Sequence, residues 1–98
     1  MKRLDITSIE ELEEIFKIES VELTTNIRDS IQEALRDNKK VAHLFDIAME
    51  GFESIFQIDL PKKDWKQALE NCLKHYEEWE MGDDALDTYL LIKELAKW

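Results

Sequence analysis

The fold turns on one stretch, Val41-Ala42-His43-Leu44-Phe45-Asp46-Ile47-Ala48-Met49-Glu50-Gly51-Phe52-Glu53-Ser54-Ile55-Phe56-Gln57-Ile58-Asp59-Leu60. It carries two periodicities at once. At a spacing of about 3.6 residues, Val41, Leu44, Phe45, Ala48, Met49, Phe52, Ile55 and Phe56 line one side of a helix. At a spacing of two, Val41, His43, Phe45 and Ile47 share one face of a strand. Ser54, Phe56, Ile58 and Leu60 then share one face of a second. Three features favour strands. Ile55-Phe56-Gln57-Ile58 is rich in β-formers. Leu60 precedes Pro61 and is pushed towards an extended backbone. A helix through Gly51 would lose about 1 kcal/mol, whereas a hairpin turn at Glu50-Gly51 can use glycine's access to positive φ. A β-hairpin over 41–60 makes the chain α+β and α-rich. The helical alternative makes it an all-α bundle.

Downstream, Pro61 stops the hairpin and a helix is expected over 62–81. Trp65, Ala68, Leu69, Cys72, Leu73, Tyr76 and Trp79 form its apolar stripe, and Lys66, Gln67, Glu70, Asn71, Lys74, Glu77 and Glu78 cover the other side. Met81-Gly82 breaks it, and Asp83 or Asp84 caps a last helix over 84–97. So short a loop makes the two helices an antiparallel hairpin. The last helix is apolar on more than one side. Ala85, Tyr89, Ile92 and Ala96 occupy one arc, Leu91, Leu95 and Trp98 extend it, and Leu86 and Leu90 lie nearly opposite. Such a helix is either central or has a partner on one side. Leu91, Leu95 and Trp98 are the expected partner-binding residues.

Upstream, Met1 to Ile6 reads as a short strand or a frayed end. A helix is expected over 8–19: Ser8 and Glu11 have capping-box spacing, and Ile9, Leu12, Ile15 and Phe16 fall on one side. Val21 to Leu23 connects. A second helix over 25–37, capped by Thr24 or Thr25, carries Ile27, Ile31, Ala34 and Leu35. Asp37-Asn38-Lys39-Lys40 ends it. Together these make four helices around one central hairpin in a single domain, 1–98.

The segment from Cys72 to Leu95 resembles half of a tetratricopeptide repeat. Tyr76 followed by Gly82-Asp83-Asp84-Ala85-Leu86-Asp87-x-Tyr89 matches that family's aromatic in its first helix and acidic-Ala-Leu-acidic-x-aromatic in its second. The resemblance implies a helical hairpin, with Ala85 allowing close approach and Tyr76 and Tyr89 packing across the pair, and secondarily peptide binding. No second copy lies upstream, so a stacked array is not expected. Leu60-Pro61, Trp65, Leu69, Cys72-Leu73 and Tyr76-Glu77 are also similar to short uncharacterised proteins of phage type, a likeness that implies no activity.

Composition narrows the function classes. With 98 residues, 44% of them hydrophobic, the chain is long enough to bury a core. The formal charge of −10 opposes direct nucleic-acid binding and repels anionic membranes. The single cysteine fits a reducing compartment. Met1-Lys2-Arg3-Leu4-Asp5-Ile6 has no apolar run, so no signal peptide is expected there, and no run approaches the ~20 apolar residues that span a bilayer. A cytoplasmic location is expected.

Few residues invite chemistry. Cys72 and His75 are one helical turn apart, the spacing of a nucleophile with its base or of half a metal site. Mid-stripe packing of Cys72 is the preferred reading. His43 reads as a half-buried neutral histidine. Lys39, Lys40, Lys62, Lys63 and Lys66 are brought to one end by a hairpin and read as solvated edge protection. Glu77, Glu78, Glu80, Asp83, Asp84 and Asp87 surround the last turn without a basic residue among them, and without calcium-loop or di-iron spacing. Glu77, Glu80, Asp83 and Asp84 are candidate contacts for a basic partner. No catalytic residue, cofactor or metal is expected. The expected function is a non-enzymatic protein–protein interaction module, a homodimer or small-complex subunit. The alternative is an acidic inhibitor that occupies a basic nucleic-acid-binding surface on another protein.

Overall fold

The computed structural model describes residues 3–17, 21–53 and 55–97. The end expected for the first helix at Ile18–Glu19, the strand residue Ser54 and Trp98 lie outside them, as do the side chains of Ile15 and Phe16. The order is β1 (Arg3–Ile6), α1 (Ile9–Lys17), α2 (Val21–Arg36), β2 (Val41–Met49), β3 (Ile55–Pro61), a 3-10 turn (Lys62–Asp64), α3 (Trp65–Glu78) and α4 (Gly82–Leu95). The fold is α+β and helix-rich, with α3 and α4 forming a helical hairpin.

The 41–60 stretch is the hairpin. Gly51 takes a φ of 89°, which only glycine adopts freely. The Phe52 N–H donates to the Met49 carbonyl at 3.1 Å and closes the turn. The strands pair antiparallel from Val41↔Pro61 to Ala48↔Ile55. One expectation fails within it: Val41, His43, Phe45 and Ile47 do not share a face. The register shifts between His43 and Phe45, so Leu44 is an extra residue, a β-bulge. Because side chains alternate with a period of two, one extra residue swaps faces. Ala42 and Leu44 are buried before the shift, Phe45 and Ile47 after it. The Asn26 side-chain amide, itself buried, donates to the Leu44 carbonyl at 2.9 Å and satisfies the backbone at the bulge.

Residues 3–6 are a strand, and they make the sheet three-stranded in the order β1-β2-β3. β1 runs parallel to β2, from Arg3↔Asp46 to Ile6↔Met49. Parallel neighbours need a long crossover, supplied here by α1 and α2. Leu4 and Ile6 face the core while Arg3 and Asp5 face out.

Helix boundaries moved for tertiary reasons. α2 begins at Val21 rather than at residue 25, so Val21 to Leu23 is helix and not connector. Leu23 and Thr24 are buried, and the two threonine hydroxyls face α3: Thr25 Oγ1 lies 2.7 Å from the Tyr76 hydroxyl, and Thr24 Oγ1 lies 3.5 Å from His75 Nδ1. α2 ends in a Schellman motif, with Asn38 at φ 57° and the Lys39 N–H donating to the Ala34 carbonyl at 2.8 Å. α3 is shorter than the 62–81 expected. Its first residue, Trp65, is fully buried, with the indole N–H donating to the Leu60 carbonyl at 2.8 Å. α3 stops at a second Schellman motif centred on Glu80 (φ 56°), with the Met81 N–H donating to the Tyr76 carbonyl at 2.9 Å. Gly82 is therefore not the breaker; it opens α4. At α1, the Glu11 N–H donates to Ser8 Oγ at 3.3 Å, while the Glu11 carboxylate accepts from the Thr7 N–H at 2.8 Å and hydroxyl at 2.7 Å. Those two bonds hold its pKa below the usual carboxylate value.

The helices cover one face of the sheet. α2 packs on β2, α3 on α2, and α4 on α3. Leu4, Ile6, Phe45, Ile47, Ile31, Ala34, Trp65, Leu69 and Leu91 belong to one core cluster. In the aromatic stripe of α3, Trp65 and Tyr76 are core, as expected, and fully buried, whereas Trp79, just past the end of the helix, is only half-buried. Among the described residues, no helix is long and apolar enough to cross a membrane.

Candidate functional site

The apolar surplus of α4 is real, but it lies on residues other than those expected. Asp84, Ala85, Thr88, Leu91, Ile92 and Leu95 recur at the three- and four-residue intervals of one helical face, and all are buried or half-buried. Leu91 is only 6% exposed and belongs to the core, and Leu95 packs against that core. Leu91 and Leu95 therefore do not form the outward partner surface expected of them; Trp98 lies outside the described residues. The outward side carries Leu86, Tyr89 and Leu90, which are 56%, 46% and 52% exposed. Tyr89 does not point across the helical hairpin as the repeat resemblance implied. It faces out, with Lys93 Nζ 5.3 Å from its ring centroid, while neighbouring Thr88 is fully buried and donates to the Asp84 carbonyl at 2.7 Å. Helical spacing places Leu86 and Leu90 opposite the other arc. Which arc went inward was the missing fact.

Beside this stripe runs a shallow groove of about 290 Å³ between α2 and α4, lined by Arg28, Gln32, Asp87, Leu90, Leu91 and Glu94. At its upper end is a polar tie that no local motif announces. Arg28 Nη1 donates to Asp84 Oδ1 at 2.7 Å, its Nη2 to Asp29 Oδ1 at 3.1 Å, and its guanidinium carbon lies 5.3 Å from the centroid of the Tyr76 ring. Burial works against the arginine's charge, but Asp84 and Asp29 outweigh it and raise its pKa. Burial also raises the Tyr76 phenol, against the opposing effects of Thr25 and Arg28. Arg28 and Asp29 of α2, Tyr76 of α3 and Asp84 of α4 meet here, from segments far apart in the chain.

The tie changes the reading of the acidic turn. Asp84 is partly buried and engaged with Arg28 inside the chain, so it is not an outward docking carboxylate. Glu77, Glu80 and Asp83 are exposed.

The remaining candidates are structural in setting. Cys72 is buried, its thiol donates to the Thr24 carbonyl at 3.6 Å, and burial pushes its pKa up to about 11. A nucleophilic cysteine requires the opposite shift. The His75 and Trp79 rings stack at 5.4 Å between centroids. His43 is held between two aspartates on the open face of the sheet, Asp59 on the paired strand at 2.8 Å and Asp46 at 3.1 Å. The hairpin does bring lysines together at one end, where the Lys62 N–H donates to the Lys40 carbonyl at 2.9 Å. Among the described residues, no group of three or more His, Cys, Asp or Glu is arranged to hold a metal ion.

A second apolar patch was not foreseen. Phe52 and Phe56, about half exposed at the hairpin tip, meet edge to face at 6.3 Å, and Ile55, equally exposed, lies on the opposite face of the strand from Phe56. β3 is an edge strand, and the helices pack over β2 instead. The signal was present in the β-rich Ile55-Phe56-Gln57-Ile58. Its exposure follows only from β3 lying outside the helical layer.

No family model, no curated protein and no solved structure matches the chain.

Proposed function

We propose that this chain is a non-enzymatic protein–protein interaction module, acting in the cytoplasm, whose partner is another protein and in the simplest case a second copy of itself. The observation that carries this is the outward stripe of α4. Leu86, Tyr89 and Leu90 form a continuous apolar face on a helix whose opposite side already fills the core. Exposed contiguous apolar surface of this kind marks an interaction site. The raised pKa and burial of Cys72 support the non-enzymatic reading, and a chain with a single cysteine, which cannot form an internal disulfide, fits a reducing compartment. Light scattering is expected to find a mass above the 11.7 kDa of one chain. Leu86→Glu and Leu90→Glu, at exposed positions, should lower it without lowering helix content. A wild-type monomer at high micromolar concentration would refute self-association.

The exposed carboxylates of Glu77, Glu80 and Asp83 support a second reading, an acidic regulator that occupies a basic surface on another protein. Its binding should weaken steeply between low and high salt. Partners retained equally at both would argue against it.

A further inference from the structure

We infer that the partner of α4 is α4 of a second copy, packed antiparallel about a two-fold axis at the level of Thr88; this rests on the interaction-module reading above and names its interface. Asp83, Leu86, Leu90 and Lys93 of α4 recur at alternating intervals of three and four residues, and all are exposed. At about 100° per residue they fall within roughly 40° of the direction opposite Thr88, so they form the outermost strip of the helix. The strip is apolar in the middle, acidic at its N-terminal end and basic at its C-terminal end. A parallel pair would set Asp83 against Asp83 and Lys93 against Lys93. An antiparallel pair centred at residue 88 sets Leu86 against Leu90 of the second copy twice over, and Asp83 against Lys93 twice over. Lys93 Nζ also lies 5.3 Å from the centroid of the Tyr89 ring, on the flank of the strip. Antiparallel packing also opposes the two helix dipoles favourably. Asp87 and Glu94 stand on the flank, further from the seam.

Charge decides the occupant. At −10 per chain, most faces of two copies repel. The other apolar patch illustrates this: the hairpin around Phe52, Ile55 and Phe56 carries Glu50, Glu53, Asp46 and Asp59 and no arginine or lysine between residues 42 and 60. Two such tips would bring like charges together. The α4 strip combines exposed apolar side chains with both signs of charge in a self-complementary order, as an isologous contact requires. A single helix of 14 residues is about 21 Å long, and an interface of that size is at the small end of the range. The dimer is therefore weak, with a dissociation constant on the order of micromolar.

The test is sedimentation equilibrium on the full chain and four variants, with far-UV circular dichroism and thermal melts as folding controls. Asp83→Lys and Lys93→Asp should each weaken dimerisation roughly tenfold, because each replaces two attractive contacts by repulsive ones. The double variant Asp83→Lys with Lys93→Asp should recover to within about threefold of wild type. Leu90→Glu should abolish the dimer. A double variant weaker than either single one overturns the antiparallel pairing. A dimer that persists in all four variants overturns the α4 interface but leaves a self-associating module that uses another face. A wild-type monomer overturns the dimer altogether and leaves only the binding of a different protein.

Discussion

Replacing Asn26 tests whether the buried amide holds the bulge and, through it, the face that β2 shows to the core. Asn26→Ala removes the bond from the side-chain amide to the Leu44 carbonyl and leaves that carbonyl without this donor. Stranding a buried acceptor costs about 1–3 kcal/mol. A domain of this size loses about 4–8 °C of melting temperature per kcal/mol, so a fall of roughly 5–20 °C is expected by calorimetry or circular dichroism. Asn26→Asp sharpens the test. Near neutral pH it places a carboxylate against a carbonyl oxygen inside the fold, which should destabilise more than alanine does. Burial and the facing oxygen raise the introduced carboxyl's pKa in the folded state above its unfolded value. Its contribution is then fully present below the unfolded value and lost as pH rises through the folded one. The deficit of Asn26→Asp relative to wild type should therefore shrink as pH falls from neutral towards about 4, the unfolded value, and stay level below it, where the protonated acid can donate to the Leu44 carbonyl. A melting temperature within about 2 °C of wild type for Asn26→Ala would refute the reasoning, as would an Asn26→Asp deficit that does not change with pH.

Three further predictions concern α3 and the turn that ends it. With its pKa raised from 9.0 to about 11, Cys72 should react with a thiol reagent at pH 8 roughly a hundredfold more slowly in the folded chain than in urea; equal rates would refute the burial argument. Since its folded value is the higher one, its stabilising contribution is complete below pH 9.0 and is lost as pH rises towards about 11, a decline that Cys72→Ala should lessen. Glu80 sits at φ 56°, where a side chain is strained, so Glu80→Gly should raise the unfolding free energy in urea by about 0.5–1 kcal/mol; a loss of stability would show that its side chain matters more than its backbone.

Much of the fold was legible because local spacing carried it. Pro61, the β-formers at 55–58 and Gly51 argued for a hairpin, and a hairpin forms. The stripe from Trp65 to Trp79 argued for a buried helix face, and Trp65, Leu69, Cys72 and Tyr76 are buried while Ala68, Leu73 and Trp79 are half-buried at its margins. The candidate site was less legible. In α4, Leu86, Leu90, Leu91 and Leu95 are the same residue type on two sides of one helix, so composition could not rank them. Asp84 looked like its neighbour Asp83 until Arg28, 56 positions away, was found beside it. The bulge at Leu44 reversed the faces of a strand without altering any local signal, because its support is a side chain on another element.

Periodicity, turn chemistry and charge are properties of neighbours along the chain. By itself the sequence therefore favoured the hairpin over a helix and determined the helical pair that follows it, the acidic balance and the core role of Trp65 and Tyr76. Which arc of α4 faces solvent, which carboxylate is tied down, where the strand changes face and that residues 3–6 add a parallel third strand were decided by tertiary structure. Each depends on a contact between segments far apart in sequence, and such a contact exists only once the chain has closed the loops that bring them together.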